Sequence, residues 1–379
     1  MPSVSKNTAN ALFASELGIP SEVVSAHEVD LGELPETQVE VEMLVSSVNP
    51  LDILIITGNA PIPLNNKEFK LSASEENQGK SNINSTVLGT EGVGRVTKIG
   101  AKAKKATNGD LEVGDYVIPF NFGDYGSWST KIYLDPSNLV VFKNREGITA
   151  RDLSSVNINI STAYRMILDI EKLNVGDYII QNGANSGVGK YVIQLANAWG
   201  FKTINVIRDR SDFDKVADDM KKLGADIVIK DTELDSSSTK DLLGSLSSPI
   251  RLGLNFVNGS NAAKMASHLS PGSTLATYGM VANDPIPIYP TMLLLQRIKI
   301  VGFSIFAFYQ TNPIEERVKT WEGIVSLLRS KKIKAQDSEL VALYDEENNN
   351  KHYSSEKIKE LALGAINSSK KTTLLINKD

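Results

Sequence analysis

The chain of 379 residues contains no cysteine, which excludes disulfides, cysteine nucleophiles and thiolate metal sites. Histidine is scarce. His27, His268 and His352 lie far apart without metal-ligand spacing, so no zinc site of the usual kind is expected. Long apolar runs are missing as well, and no stretch approaches the ~18 residues that span a bilayer. Nor is there a basic field. The 40 lysines and arginines against 45 acids give a net charge of −5 spread along the chain, which argues against a primary nucleic-acid role. The opening MPSVSKNTANALFASELG is poor in acid but has no arginine and is short for a targeting segment.

What is present is ordinary globular composition, 41% hydrophobic and 22% charged, in a length suited to two domains of roughly 150 residues. Residues 1–155 read as mostly β. Val39, Val41, Met43 and Val45 alternate with Glu40, Glu42 and Ser46, predicting a strand with one apolar and one wet face. Further short strands are expected at 93–99, 128–134 and 139–142, and 113–119 reads as a turn followed by a strand, which suggests a barrel-like β domain. Residues 58–88 are polar and rich in Asn, Ser and Pro, and read as one long loop, either a disordered insertion or an ordered lid.

From about residue 156 the rhythm becomes strand, helix, strand, helix, as in a doubly wound parallel sheet. Strands are expected at 177–181, 202–207, 225–229, 252–257 and 274–278, and a helix at 188–199. Another helix is expected at 212–223, with Ser211 as its N-cap and Gly224 as its stop. The apolar run 299–308 reads either as an edge strand or as a core strand. Residues 333–335 and 340–344 read as short extended pieces, 354–367 as an amphipathic helix and 371–377 as a last strand. The tail 335–379 is expected to rejoin the first domain, leaving 156–334 as the second.

The most informative segment is Asn182-Gly183-Ala184-Asn185-Ser186-Gly187-Val188-Gly189-Lys190, between a predicted strand and a predicted helix. Glycines there permit a tight turn and close backbone approach, and the helix start offers free N–H groups and a positive dipole end to a pyrophosphate. The next strand ends in Arg208-Asp209-Arg210. Arginines at this point suit a ribose 2′-phosphate, so NADPH is expected over NADH. The competing reading pairs both arginines with Asp212 and Asp214 as a solvated charge cluster.

Six segments together resemble the medium-chain dehydrogenase/reductase superfamily: VNPLD (48–52), GTEGVGRV (89–96), VGDYVIP (113–119), NISTAY (159–164), GANSGVGKYVIQLA (183–196) and TYGM (277–280). More narrowly, the chain is similar to fungal mitochondrial 2-enoyl thioester reductases, also called enoyl-acyl-carrier-protein reductases. The resemblance implies an α/β fold, with a doubly wound Rossmann domain and a mostly β, GroES-like domain. It implies that Asn159 and Tyr164 line the nicotinamide cleft and that Asn185, Ser186, Gly187 and Val188 hold the pyrophosphate. Arg208 and Arg210 would hold the 2′-phosphate, while Asp209 between them could still read a ribose. Tyr278, Gly279 and Met280 would lie beneath the nicotinamide, and Phe303, Ser304, Ile305 and Phe306 opposite it. Lys371 would be a late basic contact. The substrate would be an acyl thioester, of coenzyme A or an acyl carrier protein. The assembly would be a homodimer, or a heterodimer with a related subunit, and the compartment mitochondrial, with cytoplasm the alternative that the short leader favours.

Two departures stand out. The resembled reductases carry a proton-delivering tyrosine in a G-x-Y-P sequence, where this chain has Gly58-Asn59-Ala60-Pro61. They also carry Phe-Trp where this chain has Phe303-Ser304. Alanine has no proton to donate, so enolate protonation is expected to be impaired, with Tyr125 and Tyr164 as candidate substitutes. The alternatives are reduction of quinones or enones, or a non-catalytic NADPH-binding partner of an active reductase.

Overall fold

The computed structural model describes residues 7–60, 62–73, 81–120, 126–143, 146–282 and 284–379. The chain divides into two compact units, residues 1–157 with 337–379, and residues 158–336. No helix among the described residues is long and apolar enough to cross a membrane.

Among the described residues the first unit begins with nine strands: β1 (Thr8–Ala14), β2 (Val24–Asp30), β3 (Val39–Val48), β4 (Lys67–Lys70), β5 (Asn82–Val87), β6 (Gly92–Ile99), β7 (Tyr116–Pro119), β8 (Lys131–Leu134) and β9 (Leu139–Phe142). Period-two alternation gives β1 two buried faces. Ala9, Ala11 and Phe13 pack with Val29 and Leu71, while Leu12 and Ala14 join the main core of Val39, Val41, Met43 and Trp128. Strand β3 is central, pairing with β6 and β8. Its polar face is not wet, contrary to expectation: Glu40 is 2% exposed and Ser46 is fully buried. Alternation reports polarity, not coverage. Glu40 accepts bonds from Thr97 Oγ1 (2.9 Å) and Lys98 Nζ (3.1 Å), and Ser46 donates to the Glu91 carbonyl (2.6 Å).

Residues 58–88 are also not one long loop. Within them β4 pairs antiparallel with β5, which pairs in turn with β1. Sparse apolar anchors suffice: Phe69 meets Phe13 edge-on at 5.1 Å, and Ile83 and Val87 join the same cluster. Residues 74–80 of this stretch lie outside the described residues.

The second unit is a parallel sheet of β10 (Tyr178–Asn182), β11 (Lys202–Ile207), β12 (Ile227–Lys230), β13 (Ile250–Asn255), β14 (Thr274–Thr277) and β15 (Lys299–Gly302), in the order β12-β11-β10-β13-β14-β15. Ile180, Ile204, Leu275 and Met265 fill one face, and Ala184, Ile193, Ile207 and Met220 the other. The chain winds outward from β10 to β12, then restarts on the other side at β13. The switch point, where such sheets bind ligands, therefore falls at the carboxyl ends of β10 and β13.

Three local expectations fail in this unit. The helix after β11 runs Phe213–Lys222 with Asp212, not Ser211, at its N-cap position; the Asp212 carboxylate takes the Arg210 guanidinium and makes no capping bond of its own. The run 299–308 splits into edge strand β15 and the helix Ile305–Thr311, capped by Ser304. Residues 333–335 form no strand, because the Gln194 side chain binds both the N–H and the C=O of Lys334 (2.9 and 3.3 Å).

The chain then returns to the first unit through β16 (Glu339–Ala342), the short pair β17 (Tyr344–Asp345) and β18 (Lys351–His352), the helix Ser355–Asn367, and β19 (Thr372–Leu375). Strand β19 pairs antiparallel with β3 and parallel with β16, completing a sheet in the order β16-β19-β3-β6-β7-β9, with β8 beside β3.

Candidate cofactor and active site

The turn leaving β10 is built for close approach. Gly183 has φ of +59°, and a Cβ there would lie 2.7 Å from Phe256. Ser186 caps the helix Gly187–Trp199, its Oγ accepting from Gly189 N–H at 3.2 Å. A Cβ on Gly189 would meet the Ala184 carbonyl oxygen at 2.5 Å, so only glycine lets the helix pack this tightly against the loop. Beneath it, Gln181 donates to the Gly189 carbonyl (3.0 Å) and to Asn205 (2.9 Å), and Gln336 donates to the Gly187 carbonyl. Ala184 and Gly189 are buried, whereas Asn185, Ser186, Gly187 and Val188 between them keep surface. Their N–H groups stand at the positive end of a 13-residue helix. Asn159 lies beside this turn; a Cβ on Gly187 would come within 3.1 Å of its Oδ1.

Past β11, Arg208, Asp209 and Arg210 are all exposed. Arg210 makes a two-pronged contact with Asp212 (Nη2 to Oδ2 3.0 Å) that holds this carboxyl below its usual range. Asp209 pairs with Lys230 at 3.1 Å, and its N–H donates to Asp231 at 2.8 Å. Arg208 has no ion pair among the described residues. The charge-cluster reading thus accounts for Arg210 and not for Arg208, and Asp214 takes no part in it.

The switch point is tied together by asparagines. Asn182 donates to Asn255 (2.9 Å) and Asn261 (2.8 Å), and its Oδ1 accepts from Phe256 N–H (2.6 Å). Asn258, at φ +73°, donates to the carbonyls of Gly279 (3.2 Å) and Ala282 (3.1 Å). This network fixes the turn carrying Tyr278, Gly279 and Met280. The Tyr278 ring stacks on Phe256 at 5.5 Å, and a Cβ on Gly279 would lie 2.1 Å from the same ring. The Tyr278 hydroxyl is buried beside Ser186 and makes no hydrogen bond of standard length among the described residues. Burial pushes its pKa well above the usual value, and the Ser186 hydroxyl only partly offsets this. Phe303 N–H donates to the Thr277 carbonyl (2.9 Å), which sets Phe303, Ser304, Ile305 and Phe306 just past the same edge. The following helix is pinned by Arg165 over the Phe308 ring (4.3 Å) and Arg317 over the Tyr309 ring (3.7 Å).

Tyr164 stands apart from this group. Its ring meets Trp199 edge-on at 5.2 Å. Trp199 ends the 13-residue helix that the loop begins, a length of ~20 Å. Tyr125 lies outside the described residues.

In the first unit, Ala60 follows the helix Pro50–Ile56, and its N–H caps the Leu54 carbonyl at 3.1 Å. Lys371 donates to the Val48 carbonyl (3.0 Å) and to Asn49 Oδ1 (2.6 Å), while Asn49 Nδ2 donates to Glu91 (3.0 Å). Asp52 accepts from Asn49 N–H (2.7 Å), Thr90 N–H (2.9 Å) and Thr90 Oγ1 (2.8 Å). Burial raises the Asp52 pKa to about 6 against the pull of these donors and of Lys371, and burial lowers the pKa of Lys371. Of these residues the sequence singled out only Lys371, as a basic cofactor contact, and not Asn49, Asp52, Thr90 or Glu91. Their only signals were membership of VNPLD and GTEGVGRV. The asparagine network was missed too, although Asn258-Gly259 is a turn dipeptide.

A family model described as zinc-binding dehydrogenase matches residues 187–321. The chain has no cysteine, and the described residues hold no group of three His, Asp or Glu placed to bind a metal. The mitochondrial enoyl-[acyl-carrier-protein] reductase of Rattus norvegicus is 37% identical over 307 residues, 81% of this chain and 75% of that protein. The mitochondrial 2-enoyl thioester reductase Etr1p/Etr2p heterodimer of Candida tropicalis superposes with a TM-score of 0.82 at 26% identity, covering 97% of this chain and 99% of that one. A complex of Etr1p with NADP and crotonyl-CoA gives the same TM-score and coverage at 25% identity. The chain belongs to the mitochondrial enoyl-[acyl-carrier-protein] reductase family of the medium-chain dehydrogenase/reductase superfamily, and is an oxidoreductase of that family.

Proposed function

We propose that this protein reduces the C=C bond of 2-enoyl thioesters with NADPH, and does so with weakened proton delivery. The observation that carries the reading is the accessible loop 185–188 at the head of its helix, followed one strand later by an Arg208 with no ion pair among the described residues. The residues present fit the dinucleotide. The helix start takes the pyrophosphate, and the buried Tyr278 hydroxyl beside Ser186, which makes no hydrogen bond of standard length among the described residues, leaves room for a polar partner. Arg208 grips the ribose 2′-phosphate, with Arg210 joining if it leaves Asp212. Asn159 and residues 303–306 orient the nicotinamide, and Lys371, held by Asn49, provides positive charge.

When bound, NADPH supplies a hydride to the β-carbon of the substrate. Negative charge then gathers on the thioester oxygen and the α-carbon, and the α-carbon must take a proton. Position 60 offers only a methyl group. A crotonyl-CoA assay of the purified protein, followed by NADPH oxidation, tests the reading: turnover with NADPH and little with NADH is expected, and equal use of both contradicts it.

The substrate class is an acyl thioester of coenzyme A or of an acyl carrier protein, and the compartment is mitochondrial, as the relatives' names have it. We further propose a dimer, with itself or a related chain, through β15. This edge strand is exposed along its length, and Leu293, Leu294 and Leu295 before it are also exposed. Ala60 favours a second reading, an NADPH-binding partner of an active reductase. Tight NADPH binding with no turnover on any enoyl thioester would support that one.

A further inference from the structure

We propose that Lys230 sets the nucleotide preference indirectly, by drawing the Asp209 carboxylate onto the end of β12 and away from the ribose. The inference rests on the NADPH reading above and deepens it by naming a positioning residue for the same site. It starts from a conflict within Arg208-Asp209-Arg210. Arginine at the end of the second strand of such a sheet suits a ribose 2′-phosphate, whereas an acid there accepts from the ribose 2′-hydroxyl and repels the phosphate. Both residue types stand in this one tripeptide. Acids are plentiful around it as well: Asp212 engages Arg210, Asp231 takes the Asp209 N–H, and Asp214 and Glu233 lie within electrostatic reach of Lys230. A phosphate dianion is accommodated in such a corner only if the nearest carboxylate is kept occupied.

Strand β12 pairs in parallel with β11 and sets Lys230 beside Ile207, directly before the tripeptide. Asp209 Oδ1 lies 3.1 Å from Lys230 Nζ, Asp209 Oδ2 accepts from Thr232 Oγ1 at 3.4 Å, and the Asp209 N–H donates to Asp231 Oδ1 at 2.8 Å. Side chain and backbone of Asp209 are thus both tied to the consecutive residues 230–232. Lys230 is itself held in place. Its ammonium sits 5.2 Å from the centre of the Phe213 ring, and Phe213 opens the helix that follows the tripeptide. The two side chains are 31% and 44% exposed, so their ion pair contributes little to stability. Its consequence lies in selectivity. A carboxylate that carries an ammonium repels a phosphate less and offers a ribose hydroxyl one acceptor oxygen fewer. With Asp209 occupied by Lys230 and Arg210 engaged with Asp212, Arg208 is the cation left to meet the 2′-phosphate.

The experiment is equilibrium titration of the full-length protein with NADPH and with NADH at matched ionic strength, read by nicotinamide fluorescence. It compares the parent with Lys230→Met, Lys230→Arg, Asp209→Asn and the double variant Lys230→Met/Asp209→Asn, each checked by urea unfolding. The parent is expected to bind NADPH more tightly than NADH. Lys230→Met should narrow that preference about three- to tenfold, with weaker NADPH binding, stronger NADH binding and a urea midpoint little moved. Lys230→Arg keeps the ion pair and should keep the preference, and Asp209→Asn alone should not lower it. The double variant should return to the parent's preference, because the carboxylate that Lys230→Met releases is then gone. A Lys230→Met protein with the parent's preference overturns the inference and leaves the NADPH reading intact. A double variant that stays as low as Lys230→Met also overturns it, by showing that the ammonium meets the phosphate itself. A parent with equal affinity for the two dinucleotides overturns the NADPH reading, and the inference with it.

Discussion

The two units present their chemistry in opposite ways. In the second unit the proposed cofactor cradle is compact in sequence: one loop, one strand end and one turn, each already recognisable as a short motif. In the first unit the polar cluster is assembled from residues 49, 52, 90, 91 and 371, brought together because β19 pairs with β3 within one sheet. A phosphate asks for backbone N–H groups, and these come in consecutive residues at a helix start. A buried carboxyl asks for several side chains converging on it, and sheet pairing gathers those from distant segments. The comparison teaches that the part of a site made from backbone is readable early, and the part made from side chains waits for the fold.

Four substitutions sharpen or break that contrast. The largest effect is expected from Ala60→Tyr, which restores a phenol after the helix Pro50–Ile56 and should raise kcat for crotonyl-CoA by about 10²-fold, within the range of a general acid. An unchanged kcat with intact NADPH binding would show that proton delivery is not what limits the chain. Next is Gly189→Val. Its Cβ would press on the Ala184 carbonyl, backbone that cannot turn aside, so a loss of ~1–3 kcal/mol in urea unfolding is expected, with weakened NADPH binding. A well-folded variant with parental affinity would show that close helix–loop packing is not needed.

Asp52→Asn comes third. An amide can accept from Thr90, but its NH₂ then faces the Asn49 N–H, leaving a donor unmatched at a cost of ~1–3 kcal/mol. The substitution also tests linkage. The folded pKa of Asp52 is raised to about 6 from an ordinary 3.8. The native state therefore binds more protons than the unfolded chain between these values, and this group's stabilisation is full below about pH 4 and fades as pH rises through about 6. Unfolding across that window should show a slope in the parent that is reduced in the variant, and identical slopes would remove Asp52 as its source. The smallest effect is expected from Arg210→Ala. This side chain is engaged with Asp212, so less than about a tenfold loss in NADPH affinity by fluorescence titration is expected. A larger loss would mean that Arg210 exchanges Asp212 for the cofactor.

Much of the second unit was legible in the sequence, because a buried parallel strand such as YIIQN and a capped helix start leave strong local marks. The first unit was legible in its strands but not in their coverage. The acids of β3 read as wet, yet Glu40 is enclosed by Thr97, Lys98 and Lys131, groups contributed by other strands. Residues 58–88 hid β4 and β5 because Phe69, Ile83 and Val87 are too sparse to set a period. Ser211 was a reasonable cap in composition, but the helix starts one residue later with Asp212 at its N-cap position and no side-chain capping bond. The buried hydroxyl of Tyr278 beside Ser186 joins two motifs roughly ninety residues apart, a meeting that only the parallel sheet creates.

The central claim is that Arg208 selects the phosphorylated dinucleotide. Binding of NADPH and NADH to the parent and to Arg208→Gln, by isothermal titration at matched ionic strength, tests it most directly. The account predicts a clear preference for NADPH in the parent, reduced about 10- to 100-fold in the variant with NADH affinity little changed. Equal affinity of the parent for the two nucleotides, or a preference that survives the loss of Arg208, would contradict it.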